Sequence, residues 1–185
     1  MTRKPMTLAE FLDWEERQEL PFEFDGFGPV AMNGGTIEHA LIQANLHGAL
    51  HTRLRGGRCR AYNAGLKVEV AAHIRHPDVF VVCSEQTRGA TIARQPVVVF
   101  EILSPGTSRT DRIVKAREYG ETESIQRYVI LEQTGQAATV FTRMNGLWAS
   151  VVIEGDTDLT MPEIGVTVPL AEIYLDVTFP PEEEA

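Results

Sequence analysis

The sequence predicts an α+β domain in which a mixed β-sheet is flanked by a helix on each side, and three observations predict it. Segments rich in β-branched and aromatic residues, "CRAYNAGLKVEV", "PDVFVVC", "VVVFEIL", "RYVILE", "ATVFTRM" and "LWASVVIE", run through the middle and second half of the chain, the composition of strands. Two helical patterns, "TIEHALIQANLHGALHTRLRGG" and "SRTDRIVKAREYGE", stand before and among them. The run "VVVFEIL" is apolar on both alternating faces, Val97, Val99 and Leu103 on one and Val98, Phe100 and Ile102 on the other, which describes a central strand covered from both sides.

The remaining elements follow from local chemistry. "TLAEFLDWEERQ" predicts an N-terminal helix within residues 1–20: Thr7 caps it, Glu10 stands three residues on, and Leu8, Phe11, Leu12 and Trp14 form its apolar side. "FEFDGFGPVAM" reads as two extended segments around a glycine-rich turn. The long helix has Thr36 as its cap and Ile37, Leu41, Ala44, Leu46, Leu50 and Leu54 on its apolar face, and Gly56-Gly57 end it. "LTMPEIGVTVPLAEIYLDV" suits a short strand and one helical turn, and the acidic tail from residue 180 to 185 is expected to fray. With 185 residues and neither repeat nor linker, the expectation is one domain over 1–185.

Composition narrows the function. Seventeen Lys and Arg against 26 Asp and Glu give a formal charge of −9, which argues against a general electrostatic grip on nucleic acid while leaving room for a local basic groove. Cys59 and Cys83 are too few and too scattered for a disulfide framework or a cysteine zinc site. No apolar run approaches the ~20 residues of a membrane span, and "MTRKPMTLAEF" has no apolar stretch after its basic start. A soluble, cytoplasmic protein is expected.

The chemistry gathers around Glu101. A carboxylate within a doubly covered strand needs a cation, a partner acid or a water-filled cleft, because burying it alone costs several kcal/mol. Asp78 opens the apolar strand "PDVFVV"; if that strand lies beside "VVVFEIL", the two acids converge as a hard divalent cation requires. After the turn at Pro105 the chain re-enters as a helix, whose six residues from Arg109 to Lys115 advance about 9 Å against about 13 Å for four strand residues. Lys115 can therefore return to the level of Glu101. Two acids and a lysine around one metal can position a water and stabilise charge on a phosphate. Simpler readings stand beside these: an Asp111–Lys115 pair at i,i+4, Asp78 as a turn residue, and Glu101 paired with a helix arginine. His47 and His51 have the spacing of paired zinc ligands, but "HGALH" lacks the metalloprotease glutamate, which favours solvated or packing histidines. Arg53, Arg55, Arg58 and Arg60 form the one dense basic patch, either a favourable helix C-terminus or a phosphate contact.

The ordered set "FEFDG", "GGTIEHALIQANLHGAL", "HPDV", "VFEILSP" and "TDRIVKAREY" resembles the Uma-two family of restriction-endonuclease-like proteins, within the PD-(D/E)XK nuclease superfamily. The resemblance runs from about Thr7 through "PLAEIYLDV". It implies a restriction-endonuclease-like core with additional antiparallel strands. It makes Asp78 and Glu101 the acids of the two motif elements, with the backbone carbonyl of Ile102 as a further metal contact. Leu103 stands where the superfamily carries its lysine, and Lys115 is the migrated replacement. Glu23 matches an additional acid of the metal shell and His39 a histidine at the start of the long helix; Asp111 and Arg112 are accessory candidates. Gly28 and Gly65 depart from the family pattern at positions where relatives carry acids.

The expected function is Mg²⁺- or Mn²⁺-dependent endonucleolytic hydrolysis of phosphodiester bonds, with DNA as the expected substrate and a second copy of the chain as a candidate partner. The alternative is a catalytically silent member of the fold that binds nucleic acid or a protein; a structural oligomer whose acids pair with Arg109 or Arg112 is a third reading.

Overall fold

The structure is a computed structural model that describes residues 5–32, 34–103 and 109–180, with side chains in the last segment from Ile113 onward. In chain order the elements are α1 (Leu8–Glu15), β1 (Phe22–Phe24), β2 (Pro29–Ala31), α2 (Ile37–Leu54), β3 (Arg60–Asn63), β4 (Lys67–Val70), β5 (His73–Arg75), β6 (Val79–Val82), β7 (Ile92–Ala93), β8 (Pro96–Ile102), α3 (Arg109–Glu121), β9 (Arg127–Leu131), β10 (Ala137–Met144), β11 (Leu147–Glu154), β12 (Asp158–Met161), β13 (Val166–Pro169) and α4 (Leu170–Ile173). Thr7 and Glu10 form the expected capping box on α1, and Thr36 accepts from the His39 N–H at the start of α2.

The main sheet has the order β11-β10-β9-β8-β6-β3. It is mixed: β8 and β9 are parallel, joined across α3, and the other neighbours are antiparallel. From Val98 onward the two faces of β8 go where its alternation sends them, while Val97, expected beside Val99, packs on the α2 side, near the shift in β6–β8 register between Val81 and Val82. Val98, Phe100 and Ile102 pack with Ile42, Leu46 and Leu50 of α2, while Val99 and Leu103 pack with Tyr119 of α3 and Tyr128 of β9. A helix on each face is thus what the sequence predicts.

Beyond that single sheet the fold is richer. "CRAYNAGLKVEV" is two strands, because the chain turns at Ala64-Gly65 and leaves the main sheet for a second one, ordered β2-β1-β5-β4-β7. Its small core is Phe11, Phe24 and Ile74, and Lys67 of β4 pairs with Glu15 of α1 at 2.5 Å. The chain passes from this sheet to the main one through His76-Pro77-Asp78, between β5 and β6. The β12–β13 ladder and α4 complete the α2 side.

One expectation is overturned. Cys59 and Cys83 form a disulfide, because they flank the β3–β6 pair whose register sets Arg60 opposite Val82. Their distance along the chain hid a cross-strand proximity. No helix among the described residues is long and apolar enough to cross a membrane.

Trp148, on β11, seats the C-terminal turn of α3. A β-carbon added at Gly120 would lie 1.9 Å from its indole Nε1, and the ring also packs at right angles on Phe141 and under Arg143. Gly120→Ala must therefore shift the indole or the helix. We expect a loss of about 1–3 kcal/mol, measured as a lower denaturant midpoint at unchanged m-value.

Candidate active site

Asp78 and Glu101 face each other because β6 and β8 are antiparallel neighbours with Val79 opposite Phe100; one step outward in that register sets Asp78 beside Glu101. Asp78 Oδ2 accepts the Ile102 N–H at 2.7 Å, so the first acid is clamped onto the backbone of the strand that bears the second. Its Oδ1 lies 3.1 Å from His39 Nε2, and its carbonyl accepts from Gln43 Nε2. Both partners stand on α2.

Glu101 is held from the other face. Lys115 Nζ lies 3.0 Å from its Oε1 and the Tyr119 hydroxyl donates to the same oxygen at 2.7 Å. Lys115 and Tyr119 are four residues apart on α3, so they share one helix face. Lys115 thus pairs with Glu101, and also with Glu23 Oε1 at 3.5 Å. The side chains of Asp111 and Arg112, like that of Arg109, lie outside the described residues.

Glu23 reaches the same place from β1, accepting the His76 N–H at 3.1 Å. Behind it, Arg75 makes a two-pronged pair with buried Glu118 at 2.7 and 2.8 Å and approaches Glu23 Oε2 at 3.4 Å. This pair ties β5 to α3 and fixes the helix that carries Lys115. Together Glu23, His39, His76, Asp78, Glu101, Ile102 and Lys115 border a cavity of about 220 Å³.

Four residues at or behind this wall escape the sequence reading of the site. Tyr119 had a local signal, its i,i+4 relation to Lys115. The Arg75–Glu118 pair spans 43 positions and had none. His76 is only 6% exposed. Its Nδ1 donates to the Ala64 carbonyl at 3.0 Å, and its Nε2 is buried with no hydrogen-bond partner among the described residues. The other sequence candidates stay apart. His47 and His51 merely stack, with ring centroids 6.2 Å apart. The basic patch sits at the C-terminal end of α2, about 27 Å along the helix from its start near His39, and its Arg53 is bound to Glu172 at 2.6 Å.

The electrostatics are those of a site with too much negative charge. The Glu101 carboxyl is raised to about 7, chiefly by burial, with Lys115 opposing the rise and Asp78 and Glu23 adding to it. Burial works against the Lys115 ammonium, but Glu101 and Glu23 hold it above its ordinary value. The Asp78 hydrogen bond likewise raises His39. Glu23, Asp78 and Glu101 supply the hard oxygen donors that a divalent cation takes, and the charge surplus suits one. Among the described residues, though, no three His, Cys, Asp or Glu side chains form a ready metal cage. The oxygens of Asp78 are held by His39 and the Ile102 N–H, and one oxygen of Glu101 by Lys115 and Tyr119, so a cation would have to exchange for some of these bonds.

Comparison with known proteins agrees with this architecture. The family model described as "Uma2: Putative restriction endonuclease" matches residues 8–171. The uncharacterized protein slr1290 of Synechocystis sp. is 30% identical over 174 residues, covering 92% of each chain. A crystal structure described as "a putative nuclease belonging to DUF820" from Anabaena variabilis superposes with a TM-score of 0.75 at 21% identity, covering 92% of this chain and 98% of the other. The chain belongs to the Uma2 family, and its fold is that of the Anabaena structure.

The Glu101 shift predicts a pH dependence. Glu101 binds its proton more tightly in the folded protein, so from its ordinary value near 4.5 up to about 7 the folded state holds the extra proton. That stabilisation is full below the lower value and is lost as pH rises through the upper one. In metal-free urea unfolding across this window, Glu101→Gln is expected to flatten the decline. An unchanged slope would contradict the assignment. Tyr119→Phe, which removes a donor from a buried carboxylate, is expected to cost about 1–3 kcal/mol.

Proposed function

We propose that the protein is a metal-dependent nuclease that hydrolyses phosphodiester bonds in DNA. The observation that supports this best is the convergence of two acids from adjacent strands with a lysine from the following helix, at 3.0 Å from Glu101, in one open cavity. The family description and the nuclease title of the Anabaena structure point the same way.

Asp78, Glu101 and Glu23, with the Ile102 carbonyl, would hold Mg²⁺ or Mn²⁺. Bound there, the ion would supply Lewis acidity toward a phosphoryl oxygen and a more acidic water. Lys115, held in its charged form by Glu101 and Glu23, acts as a donor: it orients the attacking water and stabilises the negative charge that develops on the phosphate. His39, whose proton affinity is raised by Asp78, stands on the same wall and can give a proton to the departing oxygen. The Arg75–Glu118 pair keeps α3, and with it Lys115, in place.

Cleavage of supercoiled and linear DNA with Mg²⁺ or Mn²⁺ tests the reading. Wild type is expected to nick with either ion, Lys115→Ala to lose about 10²-fold or more, and Asp78→Ala and Glu101→Ala to lose activity altogether. Equal activity in all variants would sink the assignment. An inactive wild type on both substrates would select the silent binding module instead.

Metal binding has its own readout. An ion at a hundredfold excess over its Kd is expected to raise the unfolding free energy of wild type by ~2.7 kcal/mol, seen as a higher melting temperature. Asp78→Ala is expected to abolish that rise. A rise equal to wild type in the variant would place the ion elsewhere.

A further inference from the structure

Among the described residues β11 is the outermost strand of the main sheet, with β10 as its sole neighbour. Edge strands offer unpaired N–H and C=O groups, and proteins that stay single blunt them with lysine, proline or bulges. β11 has none of these. Its run from Leu147 to Ile153 carries no charge, and its register with β10 is unbroken from Met144↔Leu147 to Ala137↔Glu154. Leu147, Val151 and Val152 are 74%, 56% and 62% exposed, so apolar side chains are bare on both faces.

The hydrogen-bond phase of this edge is fixed. Asn145 and Gly146, both at positive φ, form the two-residue turn of a tight hairpin, and Gly155 N–H bonds the Gln136 carbonyl. Odd-numbered residues of β11 therefore point their backbone groups at β10, and Trp148, Ser150, Val152 and Glu154 point theirs outward. An antiparallel copy of the same strand, related by a two-fold axis at Val151, would meet every outward residue with another: Trp148 with the copy's Glu154, and Ser150 with the copy's Val152. The charges agree with this register. Glu154 of one copy arrives beside the Trp148 over which Arg143 lies, with the guanidinium carbon 5.0 Å from the ring centroid. On the other face Val151 packs against its own symmetry mate, and Ala149 against the copy's Ile153.

We propose that β11 is the seam of a homodimer, formed by antiparallel pairing with β11 of a second copy into one continuous sheet. An isologous contact of this kind closes on itself and leaves no bare edge at the join. The directions of the strands have a further result. β11 runs parallel to β8, since β9 is parallel to β8 and antiparallel to β10, which is antiparallel to β11. The two-fold axis reverses β8 in the second copy, so the two acidic cavities open toward opposite ends of the joined sheet.

Sedimentation equilibrium of the full chain tests the seam. Wild type is expected to show a monomer–dimer equilibrium. Val151→Lys sets two like charges against each other at the axis and is expected to weaken the dimer at least tenfold. Val152→Pro removes an outward N–H without touching the β10 ladder and should do the same. Val151→Cys is expected to give a covalent dimer under mild oxidation, since Cys59 and Cys83 are already paired. At a protein concentration low enough for wild type to be monomeric, circular dichroism and the unfolding midpoint of Val151→Lys should match wild type, because the side chain is exposed. A wild type that stays monomeric at every concentration, or a dimer that survives Val151→Lys and Val152→Pro unweakened, would overturn the proposal.

Discussion

The rest of the structure depends on how a carboxylate is kept in the wall of a packed sheet. Glu101 shares its strand face with Val99 and Leu103, and its side chain is only 12% exposed. Left alone it would take up a proton or force the strand open. It is held because α3 crosses from β8 to the parallel β9 on the same face and brings Lys115 and Tyr119 to it. The crossover that makes the sheet parallel at that point is therefore also the device that furnishes the site. Moving α3 by one turn would unpair the acid and strip Tyr119 from the core at once.

The second sheet supports this arrangement. It contributes Glu23 and the Arg75 fork, and the fork grips Glu118 on the buried side of α3. Breaking a buried ion pair by removing one partner costs about 3–5 kcal/mol, so α3 is fixed from behind by a bond that never meets solvent. The densest run of positive charge in the sequence, Arg53 to Arg60, lies at the far end of α2, with Arg53 paired to Glu172. The acidic cavity and the basic patch lie at opposite ends of α2.

Much of this was legible in the sequence where the signal was local. The capping box of α1, the two covered faces of β8, the neighbourhood of β6 and β8, and the return of Lys115 all follow from periodicity and rise per residue. The placement of Glu23 and His39 came from likeness to a family, not from any spacing. What stayed hidden was set by tertiary approach. The Cys59–Cys83 bond depends on the β3–β6 register, the Arg75–Glu118 pair on the seating of a second sheet against α3, and the role of His76 on the turn at Ala64. None of these leaves a periodic trace, because the partners lie on different elements. "CRAYNAGLKVEV" misled for a related reason: its β-branched content is continuous, while the sheet it serves changes midway.

The contact between Gly120 and Trp148 also constrains how this sequence can vary. The indole occupies the volume that any side chain at position 120 would fill, so what one position accepts depends on the other. A larger residue at 120 fits without displacing the ring only once the tryptophan has been replaced by something smaller. Replacing the tryptophan first leaves a void over α3 that alanine at 120 could then partly fill. Divergence at this point is a path with a required first step, and that step is taken on the sheet, at a distance from the chemistry whose helix it holds.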